Sequence, residues 1–336
     1  MSENKTNSVA ESQPLGILRF EPCFHSLRWG GTQLASYKGI AYDSADNIAE
    51  SWEISGLKGS ETTVSEGRFK GMTVTDLMSR YGSQLMGEKL YARYGNFFPL
   101  LIKFIDAADD LSIQVHPDNE QAPDGLGKTE LWYIIKSEPG SYIYSGFNRP
   151  LSRETLLQSI EKNSLVDMLA KHFSEPGDVF YLPAGRIHSI GAGNMLLEVQ
   201  QTSATTYRLH DYRRKDKNGK LRELHIDKAV EVIDYDQTDY GLARPQMLID
   251  CETRIRKTPF FTITSAQIMS SLRMEVAAHQ SPRILIAIAG SGTVRDSFGE
   301  TKSIRQGQTL MIPAETQYVD IMSQSTPFKL ISVYIE

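Results

Sequence analysis

The sequence predicts a mainly β protein, two related small barrels with a small helical insertion, and three observations carry that expectation. Short apolar runs such as ILRF, AESWEIS, PLLIKFIDA and ELWYII recur between Gly, Pro, Asn and Asp turn signals, which is strand patterning. An internal echo aligns EPGDVFYLPAGRIHSI without gaps on RQGQTLMIPAETQYVDI, placing Gly177 on Gly307, Pro183 on Pro313 and Ala184 on Ala314. LWYIIKSEPGSYIYSGF likewise resembles ILIAIAGSGTVRDSFGE, strand-turn-strand in both, so a duplicated unit is expected. Helical periodicity is confined to three short stretches.

Taken in order, residues 1–14 (MSENKTNSVAESQP) read as a loose polar tail without the apolar core of a secretory signal. Strand-like runs then dominate to about Glu120, interrupted by a helix over Val74–Met86 whose stripe is Leu77, Met78, Tyr81 and Leu85. After the ELWYII and SYIYSGF strands, Arg153–Phe173 shows helical spacing of Leu156, Leu157, Ile160, Leu165, Met168 and Leu169. Ser152 is its expected N-cap, and Asn163-Ser164 offers a division into two helices. A third helix follows His225 through DKAVEVID, and strands return beyond Asp250. The expected domains are 15–250, carrying the helical segment 152–173 and the chemistry, and 251–336, a second copy that packs and shapes.

Composition narrows the function classes. The 336 residues are 40% hydrophobic and 23% charged, with a net charge of −5, which suits a globular protein and gives no electrostatic reason for nucleic acid or an acidic membrane as partner. No apolar stretch approaches a membrane span. Cys23 and Cys251 lie far apart, against a disulfide framework and for a reducing compartment. A cytoplasmic protein with a small-molecule partner is expected, a monomer or weak homodimer.

Four residues have the spacing of metal ligands gathered from strands. Gln114 and His116 are two apart in SIQVHPDN, Glu130 opens ELWYII and His188 closes the echoed segment. Side chains two apart on a strand share a face. Two imidazoles, a carboxylate and an amide oxygen suit a borderline divalent ion, with zinc (Zn2+, one per chain) the first expectation. In the second copy Tyr318 falls where His188 stands, so binding is expected in one copy. His25, His172, His210, His225 and His279 lack such spacing.

Further candidates surround these four. In MLLEVQQT, Leu196, Glu198 and Gln200 share a strand face; burial beside apolar residues would raise the Glu198 carboxyl into a proton-exchanging range, whereas a structural pair with Arg208 is the alternative. Lys103 lies between apolar neighbours in LLIKFID and points into the pocket or into a structural ion pair. Lys128 precedes Glu130 by two and shares its side, and Ser112 shares a face with Gln114 and His116. Trp52 reads as core, and Trp29, beside Gly30-Gly31, as core or pocket rim.

Gly177, Pro183, Gly185 and His188 match the second motif of the cupin superfamily, G-x5-P-x-G-x2-H-x3-N, with Ala192 where the motif has Asn. That resemblance implies cupin-like jelly-roll barrels, a fold that hosts many chemistries. RWGGTQL, ESWEIS, PLLIKFIDA, SIQVHPDN, GKTELWYI and TTYRLHDYRRKDKNGKLRELHI are similar, in that order, to the short bacterial form of type I mannose-6-phosphate isomerase, and the similarity runs from about Leu15 to Glu336. It implies a zinc-dependent aldose-ketose isomerase interconverting mannose 6-phosphate and fructose 6-phosphate by enediol(ate) proton transfer. It also implies Gln114, His116, Glu130 and His188 as ligands, and Glu198, Arg208 and Lys103 in the active site beside Lys128. Arg208 would meet the developing negative charge or the phosphate, and Ser112 and Arg214 the phosphate. Which group carries the proton stays open. Rival readings are a cupin acting on another phosphosugar or on oxygen through iron, and a noncatalytic sugar binder.

Overall fold

The computed structural model describes residues 13–41, 47–215, 219–236 and 240–336. Residues 1–12 of the expected tail lie outside them. The chain forms β1 (Phe20–Glu21), β2 (Cys23–His25), helix α1 (Gln33–Lys38), β3 (Glu50–Ile54), β4 (Thr63–Val64), α2 (Val74–Met86) and α3 (Glu88–Tyr94). There follow β5 (Leu100–Ala107), β6 (Ile113–Val115), β7 (Glu130–Ser137), β8 (Tyr142–Phe147), α4 (Arg153–Glu161), β9 (Leu169–Phe173), β10 (Val179–Leu182), β11 (His188–Ile190), β12 (Asn194–Gln201), β13 (Tyr207–His210), α5 (Ile226–Val232) and β14 (Leu242–Ala243). The last stretch is all strand: β15 (Thr253–Lys257), β16 (Phe261–Ile268), β17 (Ser271–Glu275), β18 (Arg283–Ala289), β19 (Ser291–Asp296), β20 (Thr301–Arg305), β21 (Thr309–Ile312), β22 (Tyr318–Ser323) and β23 (Phe328–Ile335).

Two compact units result, and each is discontinuous in sequence. One contains Pro22–Ser60 and Leu100–Pro245; the other contains the described residues up to Glu21, Glu61–Pro99 and Gln246–Glu336. The C-terminal stretch therefore does not stand alone, as a single boundary at residue 250 would have it. The end of α2 belongs with it because the Ala314 and Glu315 amides donate to the Leu85 and Gln84 carbonyls at 3.0 Å.

In the first of these units a seven-stranded antiparallel sheet has the order β14-β10-β7-β12-β5-β3-β2, and a five-stranded sheet the order β13-β6-β11-β8-β9. β5 is buried along its whole length and β12 on all but its last residue, the reason both read as nearly unbroken apolar runs. In the second unit the orders are β21-β18-β23-β16-β15 and β17-β22-β19-β20. The duplication is thus visible as topology: β10 and β21, β7 and β18, β11 and β22 occupy the same places. The chain is mainly β, but the described sheets are open, and no closed barrel is found among the described residues. Nor is any helix among them long and apolar enough to cross a membrane.

Helix α2 has the expected bounds. Thr73 and Asp76 form a reciprocal capping box, and Leu77, Met78 and Leu85 are buried, while Tyr81 sits at a kink, half-exposed. The helix expected over Arg153–Phe173 is corrected. Ser152 caps it as expected, but it ends at Glu161, because Asn163 adopts φ 56°, a left-handed turn that an α-helix does not continue through. A 3-10 turn follows at Leu165–Met168, and Leu169–Phe173 is a strand paired with β8.

Gly30 and Gly31 permit close approach of neighbouring groups. A Cβ on Gly30 would lie 2.7 Å from the Ala49 backbone, and one on Gly31 would lie 2.6 Å from Asp106 Oδ2, the oxygen that accepts the Gln33 and Leu34 amides at the start of α1. Trp29 is core, packed with Ala49, Ile105 and Trp132. Gly30→Ala is expected to cost about 1–3 kcal/mol, the usual range for overpacking, read as a shift in the urea midpoint at unchanged slope.

Candidate metal centre and active site

Two rows of cross-strand neighbours build the site, both within the unit containing Pro22–Ser60 and Leu100–Pro245. On the seven-stranded sheet, Trp132 (β7), Glu198 (β12), Lys103 (β5) and Trp52 (β3) stand in register. On the five-stranded sheet, Arg208 (β13), Gln114 (β6), His188 (β11) and Ser145 (β8) do the same. Glu130 is two residues before Trp132 on β7, hence on the same face.

His116, Glu130 and His188, all buried, bring one potential ligand atom each to within 4.8 Å of one another. His188 Nε2 is 3.1 Å from Glu130 Oε1, His116 Nε2 is 3.7 Å from Oε2, and Gln114 Nε2 is 3.4 Å from His188 Nε2. His116 Nδ1 contacts the Thr205 carbonyl at 2.9 Å and His188 Nδ1 the Arg186 carbonyl at 2.8 Å. A carbonyl only accepts, so each Nδ1 carries hydrogen, and in a neutral ring each Nε2 turns its lone pair toward Glu130. Burial first, then Lys128, holds the His116 imidazole well below its usual pKa, which keeps it neutral.

Acceptors therefore face acceptors, and both buried Glu130 oxygens lack a sound hydrogen bond. Such a cluster suits a cation. The ammonium of Lys128 stands against it in this structure, 2.8 Å from Glu130 Oε2 and 3.3 Å from His116 Nε2. Burial alone would raise the Glu130 carboxyl, but the Lys128 ammonium outweighs it and holds the pKa well below the usual carboxylate range. Gln114 joins the cluster from its row, and turning its amide by 180° would present the oxygen.

Glu198 is not surrounded by apolar groups alone, nor is it paired with Arg208. Its Oε1 lies 2.9 Å from Lys103 Nζ and 3.8 Å from Lys128 Nζ, and its Oε2 accepts the Trp132 indole N–H at 2.7 Å. Lys103 also lies 3.5 Å from Glu50, whose Oε2 accepts the Trp52 indole N–H at 2.6 Å. Burial would lower the Lys103 ammonium; Glu198 and then Glu50 outweigh it and raise its pKa, so Lys103 is a fixed cation. The Glu50 carboxyl, which burial would raise, is lowered chiefly by Lys103. Three carboxylates (Glu50, Glu130, Glu198) against two ammoniums (Lys103, Lys128) leave the cluster at −1.

The remaining candidates divide. Ser112 and Arg208 meet: Arg208 Nε donates to Ser112 Oγ at 3.2 Å, and that hydroxyl lies 3.4 Å from Gln114 Oε1. Arg214 is paired with Asp211 at 2.6 Å and Asp109 at 3.4 Å, on a cavity of about 200 Å³ that Arg28, Trp29, Lys215 and Arg222 also line. None of the other five histidines joins the metal cluster found among the described residues.

Sequence reading missed Glu50 and Trp132 as members of the site and took Trp52 for core. Glu50 and Trp132 lie in runs that were singled out, ESWEIS and ELWYI. Their two-residue offsets from Trp52 and Glu130 were the available signal, but which strand lies opposite is a tertiary fact.

The family description "Phosphomannose isomerase type I, catalytic domain" matches residues 17–142. The mannose-6-phosphate isomerase of Streptococcus mutans is 36% identical over 304 residues, 87% of this chain and 92% of that one. A mannose-6-phosphate isomerase of Bacillus subtilis is also 36% identical, over 303 residues, 88% of this chain and 92% of its own. A crystal structure of the Bacillus subtilis mannose 6-phosphate isomerase superposes with a TM-score of 0.80 at 29% identity, covering 95% of this chain and 99% of that one. Likeness of this extent shows that the chain belongs to the type I mannose-6-phosphate isomerase family.

Proposed function

We propose that this protein is a zinc-dependent aldose-ketose isomerase that interconverts D-mannose 6-phosphate and D-fructose 6-phosphate. Relatives alike over nearly their whole length carry that activity in their names. The observation that carries the reading here is the juxtaposition of an acceptor cluster with a buried carboxylate: Lys128 Nζ is 2.8 Å from Glu130 and 3.8 Å from Glu198. Gln114, His116, Glu130 and His188 would hold one zinc ion. When bound, it supplies Lewis-acid polarisation of the substrate's O1 and O2 without changing oxidation state.

The chain's own residues then move the protons. Glu198 takes the proton from C2 of the open-chain aldose; the C–H pair becomes the C1–C2 double bond of an enediolate as the carbonyl π pair moves to O1. The same carboxyl returns the proton to C1. Lys128 or Lys103, both of which face Glu198, passes the hydroxyl proton from O2 to O1. Arg208 and Ser112 bind the phosphate or the developing negative charge, with Arg214 as a further phosphate contact. A divalent ion would turn the cluster from −1 to +1, complementary to a phosphosugar. We also read the repeated strand orders as two cupin-like jelly rolls, the C-terminal one without metal ligands, in a cytoplasmic monomer or weak homodimer.

Purified protein is expected to carry about one equivalent of zinc per chain, held by the one candidate ligand cluster found among the described residues. A chelator should abolish isomerisation and added zinc restore it. His188→Ala should leave metal well below stoichiometry by elemental analysis; full occupancy and full activity in that variant would sink the ligand assignment. Glu198→Gln should retain metal yet lower kcat by about 10² to 10⁴, the range of general acid-base assistance. Activity on glucose 6-phosphate in place of mannose 6-phosphate would keep the mechanism and reject the substrate.

A further inference from the structure

We propose that Trp132 is a positioning residue that sets which oxygen of Glu198 exchanges the substrate proton. The proposal rests on the reading of Glu198 as the proton-transfer group. Trp132 is 1% exposed and belongs to the largest fully buried side chains. Its N–H is spent on a carboxylate of the site: Nε1 donates to Glu198 Oε2 at 2.7 Å. Strand register makes this unavoidable, since β7 and β12 place Trp132 directly opposite Glu198. The same ring meets the His188 imidazole edge-on, centroids 5.3 Å apart and planes at 85°. One side chain thus packs on a metal ligand and orients the proposed base.

The consequence is chemical. The terminal torsion of a glutamate is broad and roughly two-fold, so an unrestrained carboxylate exchanges its oxygens. Here they are inequivalent. Oε2 is tied to an indole N–H, a donor that keeps its hydrogen throughout the working pH range. Oε1 faces Lys103 at 2.9 Å and Lys128 at 3.8 Å but accepts no hydrogen bond of sound geometry, so a lone pair stays open on it. The proton leaving the sugar carbon is therefore carried on Oε1, beside the two ammoniums, and is returned from that same atom to the neighbouring carbon. Without the indole hydrogen bond the carboxylate samples orientations in which Oε1 is turned away, and turnover falls while ground-state binding does not.

The experiment replaces Trp132 by β-(3-benzothienyl)alanine, whose ring sulfur stands where the indole N–H was and which keeps the shape; Trp132→Phe is the encoded companion. Loss of a hydrogen bond to a charged group should lower kcat for mannose 6-phosphate by about 10- to 100-fold. KM and zinc content should stay within about two-fold, since uniform binding is untouched. In a Glu198→Gln background the same replacement should cause no further loss. An unchanged kcat in the sulfur variant overturns the proposal. So does a fall that brings zinc content or KM with it, or one that is equally large in the Glu198→Gln background, because either marks a packing role. Should Trp132→Phe fail to fold, the sulfur variant decides alone. Full activity of Glu198→Gln by itself would instead refute the reading of Glu198, a result distinct from each of these.

Discussion

The cross-strand register of β7, β12, β5 and β3 is the constraint on which the site depends. It sets Trp132, Glu198, Lys103 and Trp52 side by side, and a slip of one residue would turn every one of those side chains to the opposite face. The register is strongly specified because β5 and β12 are buried on both faces, so a slipped pairing would have to rebuild packed core on either side. The same economy holds on the neighbouring sheet, where Arg208, Gln114 and His188 occupy one row. Function here is a property of pairing before it is a property of any one residue.

Burying three carboxylates and two ammoniums is costly, since desolvation of ions commonly exceeds what one pair returns. The structure meets that cost by making the charges continuous: Trp132, Glu198, Lys103, Glu50 and Trp52 form a chain in which every contact is 3.5 Å or shorter. Each end closes on an indole, which donates one hydrogen bond and then presents an apolar ring to the core. In that chain one atom, Glu198 Oε1, lacks a hydrogen bond of sound geometry, whereas at Glu130 both carboxylate oxygens do. That difference separates the scaffold of the site from the part that calls for a cation.

What could be read from sequence follows the distance over which each signal acts. The closeness of Gln114 and His116 was legible because they are two apart in sequence, and the echo because Gly177, Pro183 and their counterparts are local turn residues. Helix α2 was legible from the helical spacing of Leu77, Met78 and Leu85, and the third helix stands where it was expected after His225. Leu169–Phe173 was not: its apolar residues continue helical spacing, and only the turn at Asn163 and pairing with β8 decide against it. Glu198 was read onto one strand face with Leu196 and Gln200, with a pair to Arg208 as the alternative; its ammonium partner is Lys103, on a strand far off in sequence. Glu50 and Trp132 escaped notice for the same reason.

The duplication also explains why the second copy is not merely missing ligands. The ungapped echo that sets LWYIIK on ILIAIA places Glu130 on Arg283, and pairing agrees: Glu130 lies opposite Leu182 in β10, Arg283 opposite Ile312 in β21, and Leu182 falls on Ile312 in the echo. Where one copy buries a carboxylate with no sound hydrogen bond, the other buries a guanidinium at 1% exposure, paired with Glu252 at 2.6 Å and facing the Tyr334 ring at 5.4 Å. Tyr318 in the place of His188 removes one neutral donor; Arg283 does more, because a fixed positive charge at the ligand position repels any metal ion. An inverted charge at one position, on a repeated strand order, thus sets the second unit apart at the place where the first gathers its candidate ligands.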